Sequence, residues 1–402
     1  MFSVENFYNI LYSKLLRPVK LFNFYYFVDP GSTDFNNIGN GIETVYNAGG
    51  DFNNSNYGKP VFYYDQEPID ESVNMYIEMG RKIINIGCGY KQYFRVFASS
   101  EFSDFQKKEI LDDFQFYHWY YFFHGFAALD WYRDYEFIDI DYEFDKPFLS
   151  FNNLCQNLRN YRLLLVAMLK QRNILDKGYV SLGLFNYHSD PIKSELSDPN
   201  CRLSKNSKKL VYTQLKDLKE NLYIDTKEIH GALSARMGID EYRVLKSGFV
   251  HVVTETVYYL KKLHLTEKIF KPIIAKRPFI LVAAPGNLAY FKSYGFKTFD
   301  RWIDESYDTI ENDDLRMAAI VDQVERIANL SREDQLAMYE EMKETVEFNY
   351  RHMYGDFKKL IVDELVNNFE GCLRQWNNGR FDDRCFDLTA VDFEQVKRDL
   401  IG

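Results

Sequence analysis

The chain has 402 residues, which fits two domains of ordinary size better than a single core. Its formal net charge of −10 argues against binding to nucleic acid through a broad basic face. No apolar run approaches the roughly 18 residues of a membrane span, and the N-terminal residues lack the pattern of a signal peptide. The 5 cysteines are scattered without a CxxC spacing, which favours a reducing compartment and no structural zinc. We therefore expect a cytoplasmic protein.

Short apolar or aromatic segments bounded by turn residues predict β-strands along most of the chain. They cover residues 21–28, 60–65, 93–99, 147–152, 179–185, 249–255 and 278–284. Several are apolar on both faces, which is typical of a buried parallel sheet.

Helical patterns alternate with these strands. Residues 162–169 are apolar almost all round and predict a buried helix, and the aromatic segment 117–133 is also interpreted as helical. Apolar residues recur at helical spacing after Asn312, a plausible N-cap, and Ser331 with Asp334 predicts the start of the next helix. Alternating strands and helices predict an α/β fold with parallel sheets.

The acidic, irregular stretch near Asp145 is the best candidate for a domain boundary. We predict one α/β domain over residues 1–145, a second over 146–345 and a helical tail over 346–402. The fold class expected is thus α/β, with two Rossmann-like domains facing a cleft that holds a ligand at the carboxyl ends of the strands.

The segment LTEKIFKP, residues 265–272, begins a predicted helix with charged side chains. Thr266 can cap this helix, which places Glu267 and Lys268 in the first turn. Lys268 is unfavourable there because it repels the positive end of the helix dipole, but a bound phosphate would reverse that effect. Pro272 indicates either an open, kinked first turn beside a ligand or a helix that begins later.

Other charged side chains follow predicted strands. Glu255 ends one strand, and Arg159 and Arg162 lie where residues 147–152 lead into the buried helix. Arginine forks suit diphosphate oxygens, although both arginines are equally explained as cover for the helix start. Taken alone, Glu255 is better explained as a surface glutamate. Glu67 follows the strand at 60–65 and is a candidate general base, with a simple acidic turn as the alternative.

Asp139 and Asp141 form a DxD pair of the kind that holds a metal with a nucleotide diphosphate in some glycosyltransferases. The surrounding residues alternate as in a half-exposed strand, so solvated acids explain the pair. We therefore expect no metal site.

These segments, in their order over roughly residues 59–290, resemble the inverting α-1,3-fucosyltransferase-like glycosyltransferases of GT-B architecture and related bacterial and phage glycosyltransferases. VFYYDQEP matches the segment that supplies the base in that family, which implies this role for Glu67. FLSFNNLCQNLRNYR matches the segment that contacts the diphosphate, with Arg162 the better match and Arg159 the second.

The paired signature of the same family appears as VVTET and LTEK. The resemblance implies that Glu255 lies near the donor sugar, Glu267 near the ribose hydroxyls and Lys268 near the diphosphate. It also implies transfer of a sugar from a nucleoside-diphosphate sugar to a hydroxyl acceptor, with a glycan as the expected acceptor and with no metal or other cofactor required.

Two other functions stay open from the sequence. One is a glycosyltransferase acting on a hydroxylated base in DNA, which the lysines and arginines within residues 202–219 keep open, although a solvated loop and helix explain them equally well. The other is a non-catalytic protein that binds a sugar or a nucleotide. The donor sugar, the linkage and the oligomeric state are not encoded in any pattern that we identify.

Overall fold

The computed structural model describes five short strands before residue 120 by their backbone. It then describes residues 121–137, 143–184, 190–218, 220–222, 224, 239–259, 262–377 and 388–402. Glu67 and the Asp139–Asp141 pair lie outside the described residues.

The first sheet is mixed and has the strand order β2-β1-β3-β4-β5. Its strands are β1 (Phe22–Phe27), β2 (Ile42–Tyr46), β3 (Lys59–Tyr64), β4 (Arg95–Ala98) and β5 (Tyr117–His118). β2 is antiparallel to β1, and the other pairs are parallel. β1, β3 and β4 were predicted. β5 corrects the helical interpretation of residues 117–133, because the helix there begins only at Phe123.

The second sheet is parallel throughout and has the order β7-β6-β8-β9. Its strands are β6 (Lys146–Ser150), β7 (Tyr179–Val180), β8 (Gly248–Thr254) and β9 (Phe279–Val282). Every residue of β8 and β9 is buried, as their apolar character on both faces predicted. β7 is shorter than the predicted strand at 179–185. The α/β class and the parallel sheet are confirmed.

Helices connect these strands. In chain order they are α1 (Phe123–Trp131), α2 (Tyr161–Gln171), α3 (Pro191–Ser197), α4 (Lys205–Leu215), α5 (Ile239–Ser247), α6 (Phe270–Ile274), α7 (Asn287–Ser293), α8 (Asp313–Ala328), α9 (Arg332–Tyr354), α10 (Asp356–Asn377) and α11 (Phe393–Ile401). Short 3₁₀ turns include Arg133–Phe137, Asn157–Arg159 and Glu267–Ile269.

The predicted helix starts are confirmed at atomic detail. The Asn312 side chain accepts a hydrogen bond from the Leu315 N–H at 3.0 Å and so caps α8. At the start of α9 the Asp334 N–H donates to Ser331 Oγ at 3.0 Å, and the Ser331 hydroxyl donates to the Asp334 carboxylate at 2.8 Å. α2 is buried along most of its length, also as predicted.

Contacts divide the chain into two units, one formed by Met1–Asp130 with Lys358–Gly402 and the other by Trp131–Phe357. This division differs from the predicted limits in two ways. The first boundary precedes Asp145, and the segment from Lys358 groups with the first unit, whereas we predicted a separate tail. Among the described residues, no helix has the length and apolar character needed to cross a bilayer.

Candidate functional site

The site is built on the carboxyl-terminal edge of the second sheet. β6, β8 and β9 are parallel, so the residues that follow them meet at one edge, where open α/β sheets bind their ligands. Glu255 directly follows β8, and its N–H still donates to the Val282 carbonyl of β9 at 3.0 Å. The strand geometry therefore fixes the backbone of Glu255 at this edge.

Three of the predicted residues, Glu255, Glu267 and Lys268, meet around Thr266. The Thr266 hydroxyl donates to Glu255 Oε2 at 2.5 Å, and the Thr266 N–H donates to the same oxygen at 3.2 Å. Lys268 Nζ donates to Thr266 Oγ1 and to Glu267 Oε1, at 3.0 Å each. Lys268 is the most accessible member, with 29% of its side chain exposed against 9% for Glu267. A ligand would therefore meet Lys268 first.

Glu255 is completely buried, so it is not the surface glutamate that the sequence left open. One carboxylate oxygen, Oε2, is held by Thr266, whereas Oε1 has no hydrogen-bond partner within the part of the chain that the structure describes. Burial raises the pKa of the Glu255 carboxyl, and the nearby Lys268 charge opposes that effect. A buried carboxyl with an unused oxygen is suited to binding a polar ligand group.

The segment carrying Thr266 is not one regular helix. Thr266 caps the 3₁₀ turn Glu267–Ile269, and α6 begins only at Phe270. Pro272 thus lies in the first turn of α6, where a backbone N–H has no intrahelical acceptor in any case. The later helix start, one of the two readings from the sequence, is the one observed. Because both pieces are short, attraction for an anion here rests mainly on the Lys268 ammonium.

Arg162 is buried, and its guanidinium points at the backbone. It donates to the carbonyls of Leu154 at 2.7 Å and Thr254 at 3.0 Å. A longer contact of 3.4 Å reaches the carbonyl of Glu255, which also accepts a hydrogen bond from the Tyr161 hydroxyl. This placement does not support the predicted direct contact between Arg162 and a diphosphate. Arg162 instead holds the backbone beneath Glu255 in place.

Arg159 ends the 3₁₀ turn Asn157–Arg159 and is partly exposed. Burial raises the pKa of the Tyr161 hydroxyl, and the positive charges of Arg162 and, to a smaller extent, Arg159 oppose that effect. Of the two predicted arginines, Arg159 is therefore the one whose side chain remains accessible near the edge.

Arg316 is a site-supporting residue that we did not predict. Its guanidinium is buried and donates to the carbonyls of Ala283 at 3.2 Å and Tyr258 at 2.7 Å, which lie after β9 and β8. Its other hydrogen bonds reach Asp313 and the carbonyls of Ile310 and Glu311. All five N–H donors are thus used. The sequence signal was a charged residue on the apolar face of α8, directly before Met317.

The basic segment 202–219 contains α4, which is amphipathic. Ser207, Val211 and Leu215 are buried at four-residue spacing, whereas Lys205 and Lys209 are exposed. This pattern corresponds to the solvated-helix interpretation of these lysines.

Within the described residues, no group of three or more histidine, cysteine, aspartate or glutamate side chains is arranged to hold a metal ion. No protein-family model matches the chain, and no curated protein matches it at a significant level.

Proposed function

We propose that the protein is an inverting glycosyltransferase of GT-B architecture, with two Rossmann-like domains, that transfers a sugar from a nucleoside-diphosphate sugar to a hydroxyl group of a glycan. The observation that carries the proposal is the group Glu255–Thr266–Glu267–Lys268 at the carboxyl-terminal edge of a parallel sheet. A partly exposed ammonium next to two carboxyl groups suits a ligand that combines an anion with several hydroxyls.

Each residue has a separate role in this proposal. Lys268 binds the diphosphate, and Arg159 adds positive charge nearby. Glu267 accepts hydrogen bonds from the ribose hydroxyls, and Glu255 contacts the donor sugar. Arg162 contributes indirectly, because its hydrogen bonds fix the backbone at Thr254 and Glu255.

The chemical step needs one base and a stabilised leaving group. Glu67 removes the proton of the acceptor hydroxyl, whose oxygen attacks the anomeric carbon from the face opposite the diphosphate. The bond between that carbon and the diphosphate oxygen breaks, and its electron pair leaves with the nucleoside diphosphate. The positive charges of Lys268 and Arg159 stabilise the negative charge that develops there.

A thermal-shift panel tests the binding part of the proposal. The wild type and Lys268→Ala are heated with GDP, UDP, CDP or dTDP. We expect one nucleotide to raise the Tm of the wild type, because a ligand at about 100 times its Kd adds roughly 2.7 kcal/mol to the stability of the folded state. Lys268→Ala should abolish that rise, whereas Lys343→Ala, which replaces an exposed lysine of α9, should retain it. If no nucleotide raises the Tm at millimolar concentration, the proposal fails.

Turnover distinguishes an enzyme from a binding protein. Glu67→Gln should retain nucleotide binding and lose at least roughly a hundredfold in transfer rate, since general-base catalysis contributes about 10²–10⁴. The measurement is release of nucleoside diphosphate from the donor in the presence of an oligosaccharide acceptor pool. A wild type that binds a nucleotide and never turns over would instead be a binding protein.

A further inference from the structure

The Thr266 hydroxyl is held in one orientation by Lys268. Its oxygen accepts hydrogen bonds from Lys268 Nζ at 3.0 Å and from the Lys268 N–H at 3.4 Å. An ammonium group and a backbone N–H can only donate, so both lone pairs of the hydroxyl oxygen are used. The hydroxyl hydrogen therefore points at Glu255 Oε2, which lies 2.5 Å away.

This orientation fixes the role of each oxygen of the Glu255 carboxyl group. Oε2 is an acceptor, because it receives hydrogen bonds from the Thr266 hydroxyl and, at 3.2 Å, from the Thr266 N–H. In a carboxylic acid the oxygen that accepts is the carbonyl oxygen, and the other oxygen carries the hydrogen. A proton on Glu255 therefore lies on Oε1, which has no hydrogen-bond partner in the part of the chain that the structure describes.

The balance of charge at the site favours such a proton. Lys268 Nζ lies 3.0 Å from Glu267 Oε1, so one carboxylate already neutralises this ammonium. An ionised Glu255 would be a second carboxylate beside the same cation, and Glu255 is completely buried. Burying an ionised carboxylate with an unpaired oxygen costs more free energy than burying the neutral acid.

Charged and titratable groups from three parts of the fold act on Glu255. They are Lys268 and Glu267 of the 3₁₀ turn, Tyr161 and Arg162 of α2, and Tyr132 directly after α1. Burial has the largest effect and raises the pKa of the Glu255 carboxyl, the Lys268 charge lowers it, and the Glu267 charge raises it. The Arg162 charge also favours the ionised form, but its hydrogen bonds are directed at backbone carbonyls.

A bound diphosphate would add to the need for a neutral Glu255. The diphosphate brings further negative charge to Lys268, and an ionised Glu255 would repel it. A neutral Glu255 removes that repulsion and presents an O–H at Oε1. The ring oxygen and the hydroxyl oxygens of a sugar can all accept a hydrogen bond from it.

We propose that Glu255 is a neutral carboxylic acid with its proton on Oε1, and that this O–H donates a hydrogen bond to an oxygen of the bound nucleotide sugar. Glu255 is thus a positioning residue that acts as a donor and not as an acceptor. The contact with the sugar rests on the proposed function. The place of the proton does not, because it follows from the hydrogen bonds and burial of the protein alone.

The first test needs no ligand. Above about pH 4.5, where an unperturbed glutamate titrates, the unfolded chain has lost this proton and the folded chain keeps it. Unfolding therefore releases a proton, and stability falls as the pH rises. Glu255→Gln keeps an acceptor for Thr266 and an N–H at the Oε1 position, and it cannot titrate. We expect the folding constant of the wild type, divided by that of Glu255→Gln, to fall by up to about tenfold per pH unit above pH 4.5.

Urea unfolding of the full chain between pH 5 and pH 9 measures this ratio. Glu344→Gln makes the same chemical change at an exposed position of α9 and should retain the pH dependence of the wild type. A ratio between the wild type and Glu255→Gln that is flat or rises with pH would show an ionised Glu255 and overturn the inference.

The second test measures the hydrogen bond to the ligand. UDP-glucose, GDP-mannose, CDP-glucose and dTDP-glucose are titrated by calorimetry at pH 7. Glu255→Gln should bind the nucleotide sugar about as tightly as the wild type, because its amide N–H replaces the acid O–H. Glu255→Ala should lose roughly five- to a hundredfold in affinity, the effect of a lost buried hydrogen bond. A loss of the same size in Glu255→Gln would mean that Glu255 accepts a hydrogen bond, and it would overturn the inference.

The two tests separate this inference from the proposed function. If a nucleotide sugar binds and the stability ratio does not fall with pH, the inference is overturned while the proposed function stands. If no nucleotide sugar or nucleoside diphosphate binds the wild type, the proposed function fails. The stability ratio then decides whether Glu255 carries the proton: a falling ratio supports it, and a flat or rising ratio overturns it.

Discussion

His251 shows how a single residue is set by the strand that carries it. It lies in β8, is almost completely buried, and its Nε2 is 2.6 Å from the Leu245 carbonyl. A carbonyl cannot donate, so Nε2 carries a proton. Burial lowers the pKa of His251 to about 3, and the positive charges of Arg277 and Lys271 act in the same direction.

This neutral histidine predicts a pH dependence of stability. Between about pH 6.5 and pH 3 the unfolded chain binds a proton at His251 and the folded chain does not, so acid favours unfolding. Lowering the pH from 7 to 5 should cost about 2 kcal/mol through this residue, at 1.36 kcal/mol per pH unit below 6.5. His251→Gln should lack this contribution. Urea unfolding at both pH values measures it, and parallel pH slopes in the two proteins would contradict the assignment.

Substitution of Arg316, to which we assign no ligand contact, should strongly lower the free energy of unfolding. Arg316→Ala removes hydrogen bonds to four carbonyls and Asp313, and we expect a loss of about 3–5 kcal/mol because buried acceptors are left unpaired. Arg316→Lys should retain less than half of that stabilisation, since an ammonium lacks the planar fork. Arg326→Ala, at an exposed position of the same helix, should cost less than about 1 kcal/mol. Chemical denaturation of the three variants measures how much unfolding free energy each one loses.

At the scale of elements, the loops after β8 and β9 are held to each other by short polar contacts. The Ala284 N–H donates to the Val257 carbonyl at 3.0 Å. Asn287 is buried at the start of α7, where its side chain donates to the Lys262 and Ala284 carbonyls and accepts from the His264 N–H. The edge that carries the site is therefore fixed by the starts of the following helices as well as by the sheet.

Two glycines predict opposite effects of the same substitution. Gly286 precedes α7 with φ of +85°, a conformation that is unfavourable for other residues by roughly 1–2 kcal/mol. Gly371 lies within α10, and a Cβ there would meet no atom within 4 Å. Gly286→Ala should lower the unfolding free energy by about 1–2 kcal/mol, and Gly371→Ala should raise it by about 0.5–1 kcal/mol. Equal effects of the two changes in urea unfolding would refute this prediction.

The elements also show what the sequence reveals and what it does not. β8 and β9 were recognisable because burial on both faces leaves a continuous apolar run. β5 was missed because two residues carry no periodicity, and β2 because Glu43 and Thr44 interrupt its apolar residues. We placed the boundary near Asp145 from local composition. The observed units cannot be found in that way, because one of them combines Met1–Asp130 with the distant segment Lys358–Gly402.

The candidate site was predictable from the sequence only where local patterns locate its residues. Strand ends and the start of a helix locate Glu255, Glu267 and Lys268, and the structure places them together. The complete burial of Glu255 and the backbone contacts of Arg162 depend on how loops fold back, which no local pattern encodes.

At the scale of the whole molecule, one unit is continuous in sequence and the other is not. Trp131–Phe357 contains the whole second sheet and the helices packed on it. Met1–Asp130 is completed by Lys358–Gly402, including the buried apolar stripe of α10 at Ile361, Leu365 and Phe369. Within this unit the Phe122 N–H donates to the Glu364 carboxylate at 2.9 Å.

This arrangement predicts different behaviour of two fragments. Trp131–Phe357 alone should unfold cooperatively in urea with a free energy of roughly 5 kcal/mol or more, the range of independent domains. Met1–Asp130 alone should show no cooperative transition, because the apolar face of α10 that completes its core is missing. Circular dichroism during urea titration measures both. A cooperative transition in Met1–Asp130 alone would be inconsistent with this division.

The discontinuous unit has a consequence for how the protein is made. Chains are synthesised from the N-terminus at about 5–20 residues per second, and domains generally fold as units. Met1–Asp130 emerges first but lacks its α10 and α11 partners until Lys358–Gly402 has been translated. Trp131–Phe357 can therefore complete its fold earlier, although it is encoded later. Until then, for tens of seconds at that rate, the N-terminal unit lacks the buried apolar residues of α10, so it is the part of the nascent chain that most needs a chaperone.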